Sequence, residues 1–186
     1  MSTPRLEVDL DKIQHNARSL VEWLAVRGIS VTGVTKATLG SPEIAGALLR
    51  AGVRTLGDSR IENIEAMRRA RVPASMALIR SPMLSQVDRV VAHADVSFNT
   101  ELDVISKLSC AAQKMGKTHG IVLMVELGDL REGILPGDLE PIVRQALRFP
   151  HIKLDGIGAN PVSYTHLRAH ETRYVISYAV FCLKRG

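Results

Sequence analysis

Lys36 is the residue of this chain with the clearest capacity for covalent chemistry. It ends the apolar, β-branched run Val31-Thr32-Gly33-Val34-Thr35 and is followed by Gly40, a Ser41 suited to capping a helix and Pro42 suited to a first helical turn. The order is therefore strand, lysine, loop, helix. A lysine at the carboxyl end of a strand in a repeated βα protein stands where such folds place their chemistry. Partial desolvation there favours the neutral amine that attacks a carbonyl; the competing reading is a strand-end lysine with its head in solvent. A second polar cluster, Asp58, Arg60 and Asn63, lies just past another short apolar run. Asp58 is suited to capping the helix that follows, and Arg60 to reaching Glu62 or a substrate carboxylate.

The elements that must position these residues alternate regularly. Apolar runs suited to strands fall at 6–10, 31–35, 55–57, 76–79, 96–98, 121–125 and 152–157, and stretches with helical spacing at 11–26, 42–51, 61–70, 84–93, 101–115 and 139–147. In the first helix Ile13, Ala17, Leu20, Val21 and Leu24 share one face. Short connections between alternating strands and helices indicate a parallel α/β protein. Lys36-Ala37-Thr38-Leu39-Gly40 is not a glycine-rich phosphate fingerprint, which counts against an open dinucleotide-binding sheet. The strands end instead in Lys36, Asp58 with Arg60, Arg80, Asn99, Glu126 and Asn160, groups that a barrel gathers at one mouth. Counted from Val31, the expected architecture is a (β/α)8 TIM-type barrel truncated after about six strands.

Composition narrows the function. The chain has 186 residues, 46% of them hydrophobic, which suits one domain with a substantial core. The first residues lack the apolar core of a signal peptide, and no apolar run reaches the length of a membrane span. Two cysteines, Cys110 and Cys182, make no disulfide framework; Cys110 lies in a helical pattern that suggests a buried thiol, and a reducing, cytoplasmic setting is expected. The net charge of +5 is unevenly placed: Arg168, Arg173, Lys184 and Arg185 face only Glu171 after Val162, leaving about +2 for residues 1–161. With Trp23, Phe98 and Phe149 as the only Trp or Phe of that body, nucleic-acid binding is not expected.

All three tyrosines, Tyr164, Tyr174 and Tyr178, follow Pro161, so composition changes where no domain boundary is due. The string Val162-Ser163-Tyr164-Thr165-His166-Leu167-Arg168-Ala169-His170-Glu171-Thr172 resembles the conceptual translation of a sequencing-library adaptor, and Ile176 to Lys184 resembles the adaptor that follows it. Residues 162–186 are therefore read as an artefactual tail, and 1–161 as the partial barrel. The alternative is a natural helix whose His166 and His170 hold zinc at i, i+4 spacing.

Residues 6–161 resemble the N-terminal barrel of the alanine racemase superfamily, the fold-type III enzymes that use pyridoxal 5′-phosphate (PLP), and look most like its alanine/ornithine racemase branch. Four segments carry the resemblance in order: Leu6 to Asn16, Val34-Thr35-Lys36-Ala37-Thr38, Gly57-Asp58-Ser59-Arg60-Ile61-Glu62-Asn63, and Leu127 to Ile134. It implies that Lys36 forms a Schiff base with PLP and, once freed, exchanges the substrate's α-proton on one face. It implies that Arg131 contacts the phenolic oxygen of the cofactor, where the residues alone equally allow an ion pair with Glu126, Asp129 or Glu132. Asn160 would hydrogen-bond the cofactor ring or cap its loop, and Arg60 would meet the substrate carboxylate. A small amino-acid substrate and a homodimeric full-length protein are implied as well. The loop after Lys36 has no tyrosine to hold a phosphate, and the family's main phosphate groups and second base come from later segments, so the chain alone is expected to be inactive. Two alternatives remain: a single-domain PLP-binding or homeostasis protein without racemase activity, and a Schiff-base lysine enzyme that works without PLP, such as an aldolase.

Overall fold

A computed structural model of the chain describes residues 7–128 and 132–160. They form two compact units with the boundary between Ala77 and Leu78. Both units alternate strand and helix, and six strands and six α-helices are described.

The first unit opens with α1 (Leu10–Ala25), capped by Asp9, whose carboxylate accepts from the backbone N–H of Asp11 and Lys12. The strand expected at 6–10 is not formed: Leu6 lies outside the described residues, Glu7 to Asp9 are irregular, and Leu10 is already helical. A capping carboxylate with two orphan N–H groups to satisfy outweighs the short apolar alternation. No residue of α1 is buried, and its expected inner residue Leu20 is 45% exposed. Strand β1 (Thr32–Val34) pairs in parallel with β2 (Thr55–Asp58), Val34 lying opposite Gly57. Between them runs α2 (Pro42–Arg50), which has Ser41 as its cap, Pro42 in its first turn and Gly52 at φ +95° just past its end. Helix α3 (Ile61–Arg69) follows β2 and buries Ile61, Ile64 and Met67.

Strand β3 (Ser75–Leu78) runs across the unit boundary. In the second unit a 3-10 turn over Leu84–Gln86 precedes α4 (Val87–His93), so the helix expected from 84 is α-helical only over its last seven residues. Strand β4 (Val96–Asn99) pairs in parallel with β5 (His119–Val125), and β5 with β6 (Ile152–Ala159). All seven residues of β5 are buried, as its unbroken apolar run from Ile121 requires of a strand covered on both faces. Helices α5 (Leu102–Lys114) and α6 (Leu139–Ala146) complete the unit. Cys110 is exposed, contrary to the sequence expectation. Helix α5 turns Val104, Ile105, Leu108, Ala111 and Ala112 inward, and two residues past Leu108 the helix has rotated about 200°, to the solvent side.

Candidate functional site

The site is built in the first unit from the junction of β1 and β2. Extending the pairing of Val34 with Gly57 by one residue, the backbone N–H of Thr35 donates to Gly57 O at 2.9 Å. This register sets the Thr35 hydroxyl beside Asp58, and it donates to Asp58 Oδ2 at 2.8 Å. The other carboxylate oxygen, Oδ1, accepts from Asn63 Nδ2 at 2.9 Å and from the backbone N–H of Arg60 at 3.0 Å. Thr35 and Asp58 are wholly buried, and Asn63 is 9% exposed. Asp58 is therefore not the cap the sequence suggested: the residue at the cap position of α3 is Arg60, and no side chain caps the helix. Asp58 gathers a hydroxyl, an amide and a backbone N–H around one buried carboxylate, the saturation that such a group needs away from water.

Lys36 begins the turn that leaves this cluster. Lys36–Thr38 form one 3-10 turn, whose Thr38 N–H and hydroxyl both reach Thr35 O at 3.0 Å. The turn closes through Leu39 in the left-handed region at φ 53° and Gly40 at φ +68°. A Cβ on Gly40 would stand 2.9 Å from both Cβ and O of Asn63, so only glycine lets the loop lie this close to α3. Lys36 itself is exposed and has no hydrogen bond or ion pair among the described residues. Of the two readings of Lys36, the first unit shows the solvent-exposed one: directly after Thr35, the 3-10 turn carries Lys36 out of the buried ladder to which Thr35 still belongs. Beside the turn lies an open groove of about 450 Å³, lined by Val8, Leu10, Ala37 to Leu39, Ser41, Glu43 and Ile44. The Glu43 carboxyl is held below its ordinary range by the hydroxyl of Ser41, 2.7 Å away.

Arg60 is exposed, and its guanidinium has no ion pair among the described residues, Glu62 included. In the second unit Asn160 is half-buried directly after β6. Arg131 lies outside the described residues, as do Val162 to Gly186 and the His166 and His170 pair. Around the loop that carries Arg131, Glu126 accepts from the backbone N–H of Gly128, and the backbone N–H of Glu126 donates to Ile134 O at 2.9 Å. A Cβ on Gly133 would come within 2.5 Å of the Glu126 backbone nitrogen, so glycine there is required by contact. No cluster of three metal-ligating side chains occurs among the described residues, and no helix among them is long and apolar enough to cross a membrane.

Sequence reasoning missed one polar array. At the end of β4, Asn99 Nδ2 donates to Ser97 O at 2.8 Å and to Ser97 Oγ at 3.0 Å, and Ser97 Oγ lies 2.8 Å from His119 Nε2. All three side chains are buried, and Asn99 Oδ1 has no hydrogen-bond partner among the described residues. Burial pushes the His119 imidazole down to about 4, against the opposing pull of Asp95, the Ala94 backbone and Asp155. His119 is therefore neutral near pH 7. The available signal was the pair Ser97 and Asn99 at i, i+2 on one face of a short strand.

Comparison with known proteins places these features in a family. Residues 8–178 match the family model described as alanine racemase, N-terminal domain. The chain is 38% identical over 160 residues to the lysine racemase of Thermotoga maritima and 33% identical over 162 residues to the ornithine racemase of Acetoanaerobium sticklandii. These matches cover 86% and 87% of the chain but only 44% and 45% of the two relatives, so the chain spans less than half their length. Among solved structures it resembles an alanine racemase from Clostridium difficile 630 with a TM-score of 0.73 at 16% identity, covering 86% of this chain and 44% of that one. It also resembles PipY of Synechococcus elongatus PCC7942 with a TM-score of 0.70 at 18% identity, covering 88% of this chain and 75% of that one. The fold is the α/β fold of these proteins with six parallel strands, as expected of a (β/α)8 barrel cut after the sixth.

Proposed function

Because the chain belongs to the family of alanine racemase N-terminal domains, we propose that it is the barrel portion of a PLP-dependent amino-acid racemase acting on a basic or small amino acid. The observation that carries this reading is Lys36, an exposed lysine that opens the hydrogen-bonded turn following β1 and Thr35. The lysine and ornithine racemases among its relatives support a basic substrate.

The donor set fits the cofactor: Lys36 supplies the primary amine that would hold PLP covalently at Nζ, and the buried cluster behind it keeps the backbone of that amine fixed. PLP, when bound, supplies the electron sink that makes the substrate's α-carbon acidic. With PLP bound, Lys36 Nζ would be the group that takes or returns the substrate's α-proton on one face. Asn160 and Arg131 are the further residues assigned to the cofactor: Asn160 would hydrogen-bond its ring, and Arg131, which lies outside the described residues, would meet its phenolic oxygen. The exposed guanidinium of Arg60 receives the substrate carboxylate. No phosphate anchor and no second base is assigned among these residues, and the 186-residue chain by itself is proposed not to racemise. The full-length protein is proposed to be a cytoplasmic homodimer, and residues 162–186 to be adaptor-derived, which resequencing across the codons for Asn160 to Val162 checks.

The test is incubation with PLP, borohydride reduction and peptide mapping, followed by racemisation assays with lysine, ornithine and alanine. Label concentrated on Lys36 is the expected result. Label spread evenly over the lysines defeats the reading, as does modification of Lys36 only with a sugar-like carbonyl compound. Racemisation by the purified 186-residue chain overturns its assigned inactivity. A second reading, a PLP-binding protein without racemase activity, draws support from PipY: the chain covers 75% of that protein, and a second structure of PipY has PLP bound. Lys36 labelling without racemisation by the intact gene product would favour it.

A further inference from the structure

We propose that Thr35, Asp58 and Asn63 are positioning residues for Lys36, forming a clamp that fixes the direction from which its amine meets a carbonyl compound. The inference rests on the reading of Lys36 as the Schiff-base lysine. Lys36 is exposed and has no partner of its own among the described residues, so the one constraint on its reach is the backbone that sets where its side chain departs. That backbone is held at both ends by one buried group. At the start, Thr35 is tied to β2 through its N–H on Gly57 O and its hydroxyl on Asp58 Oδ2, 2.9 and 2.8 Å away. At the close, Gly40 rests on Asn63, whose amide is fixed by Asp58 Oδ1 at 2.9 Å, and the Gly40 N–H returns to Thr35 O at 3.3 Å.

The carboxylate thus joins β1, the turn, β2 and α3, while no atom of the clamp takes up the lysine's own nitrogen. This arrangement gives a fixed base and a free head. An amine that must reach one carbon of a ligand gains from the first and would lose from a partner on the second, because a small misplacement of a reacting group lowers its rate steeply.

The experiment measures Lys36 labelling by PLP and borohydride in the whole chain, as a ratio to Lys107 and Lys114, which are exposed on α5 and serve as internal controls. In the trapping, the neutral Nζ adds to the aldehyde carbon, water leaves, and hydride from borohydride reduces the carbon–nitrogen double bond. Thr35→Val keeps the shape of the side chain and removes the hydroxyl; the expected result is a fall of about tenfold in the rate of Lys36 labelling relative to the controls. Thr35→Ser, which keeps the hydroxyl, restores the ratio. Asn63→Ala loosens the other end while keeping a good helix former in α3, and it lowers the ratio in the same direction. Thermal melts recorded alongside show that each variant is folded, and if Thr35→Val does not fold, Asn63→Ala decides. A folded Asn63→Ala or Thr35→Val variant with an unchanged ratio overturns the clamp, and so does a fall shared equally by Lys36 and the control lysines. A wild-type chain in which Lys36 labels no faster than the controls overturns the proposed function together with the clamp, whereas a selective wild type with unaffected variants overturns the clamp alone.

Discussion

The two compact units both bury polar side chains, and they satisfy them in opposite ways. In the first, one carboxylate is surrounded by three donors from Thr35, Arg60 and Asn63, and both oxygens are engaged. In the second, Asn99, Ser97 and His119 form a neutral ladder whose last acceptor, Asn99 Oδ1, is unpaired among the described residues. The difference follows from the penalty on burial. An ionised group away from water must be saturated or it does not stay buried, whereas one neutral amide acceptor left unpaired is a bearable loss. The saturated group stands behind the reactive turn, where rigidity is wanted. The incomplete one stands in a strand that neighbouring strands already hold.

The largest expected effect comes from emptying the carboxylate site. Asp58→Ala leaves a hydroxyl, an amide and a backbone N–H facing a void, and destabilisation of about 3–5 kcal/mol is expected from the loss of charge-assisted bonds and the desolvation of their donors. Urea denaturation checks it: the midpoint falls and the slope is unchanged. A loss under about 1 kcal/mol would show that water replaces the carboxylate, and the contrast between the units would fail.

The ladder answers to pH. The His119 imidazole titrates at about 4 when folded and near 6.5 when unfolded, because burial disfavours its charged form. Between those values the unfolded chain binds more protons than the folded one, so stability falls as pH drops from about 6.5 to about 4 and is level with respect to this group outside that window. The full loss is about 3 kcal/mol at most. Denaturation midpoints of the wild type and His119→Gln, compared from pH 7 to pH 4, isolate the contribution: the wild type should lose more stability than the variant. Equal slopes would mean that His119 is not held neutral by burial.

Gly40→Ala tests the first unit by contact instead of charge. The new Cβ meets Asn63 at 2.9 Å and the residue keeps φ +68°, so a loss of about 2 kcal/mol is expected from strain and overpacking together. Chemical denaturation again reads it, and a neutral result would show that the turn moves off α3 freely.

These contrasts were unevenly legible in the sequence. The alternation of strand and helix was plain because each apolar run was closed by a recognisable signal, such as Ser41-Pro42 before α2 and Gly52 after it. Lys36 and Asp58 stood out as polar groups closing apolar runs. What hid was the consequence of register. Nothing near Thr35 in the chain announces that it will face Asp58, 23 residues on, and only the pairing of Val34 with Gly57 decides it. The exposure of Lys36 was one of the two readings its position allowed, and the 3-10 turn decides between them because it begins at the lysine and not after it. His119 was missed because β5 was expected to begin at Ile121, where the apolar run starts, whereas pairing with Ile152 extends the strand two residues earlier.

Asn99→Ala is expected to have the smallest effect, and it sharpens the comparison most because the same truncation at Asp58 should be severe. The orientation of the Asn99 amide is fixed by its surroundings: turned the other way, its oxygen would lie 2.8 Å from Ser97 O, acceptor against acceptor. The unpaired group is therefore Oδ1, and its desolvation counts against the folded state in the wild type. Alanine removes two donated bonds and a little packing volume, and it removes the unpaired acceptor as well. These contributions oppose one another, and the net change should be about 1 kcal/mol or less by chemical denaturation. His119 also keeps its hydrogen bond to Ser97, so the pH-dependent loss of stability should survive the substitution. A loss as large as that of Asp58→Ala would mean that Asn99 Oδ1 is satisfied in solution, and the second unit would then bury its polar groups as completely as the first.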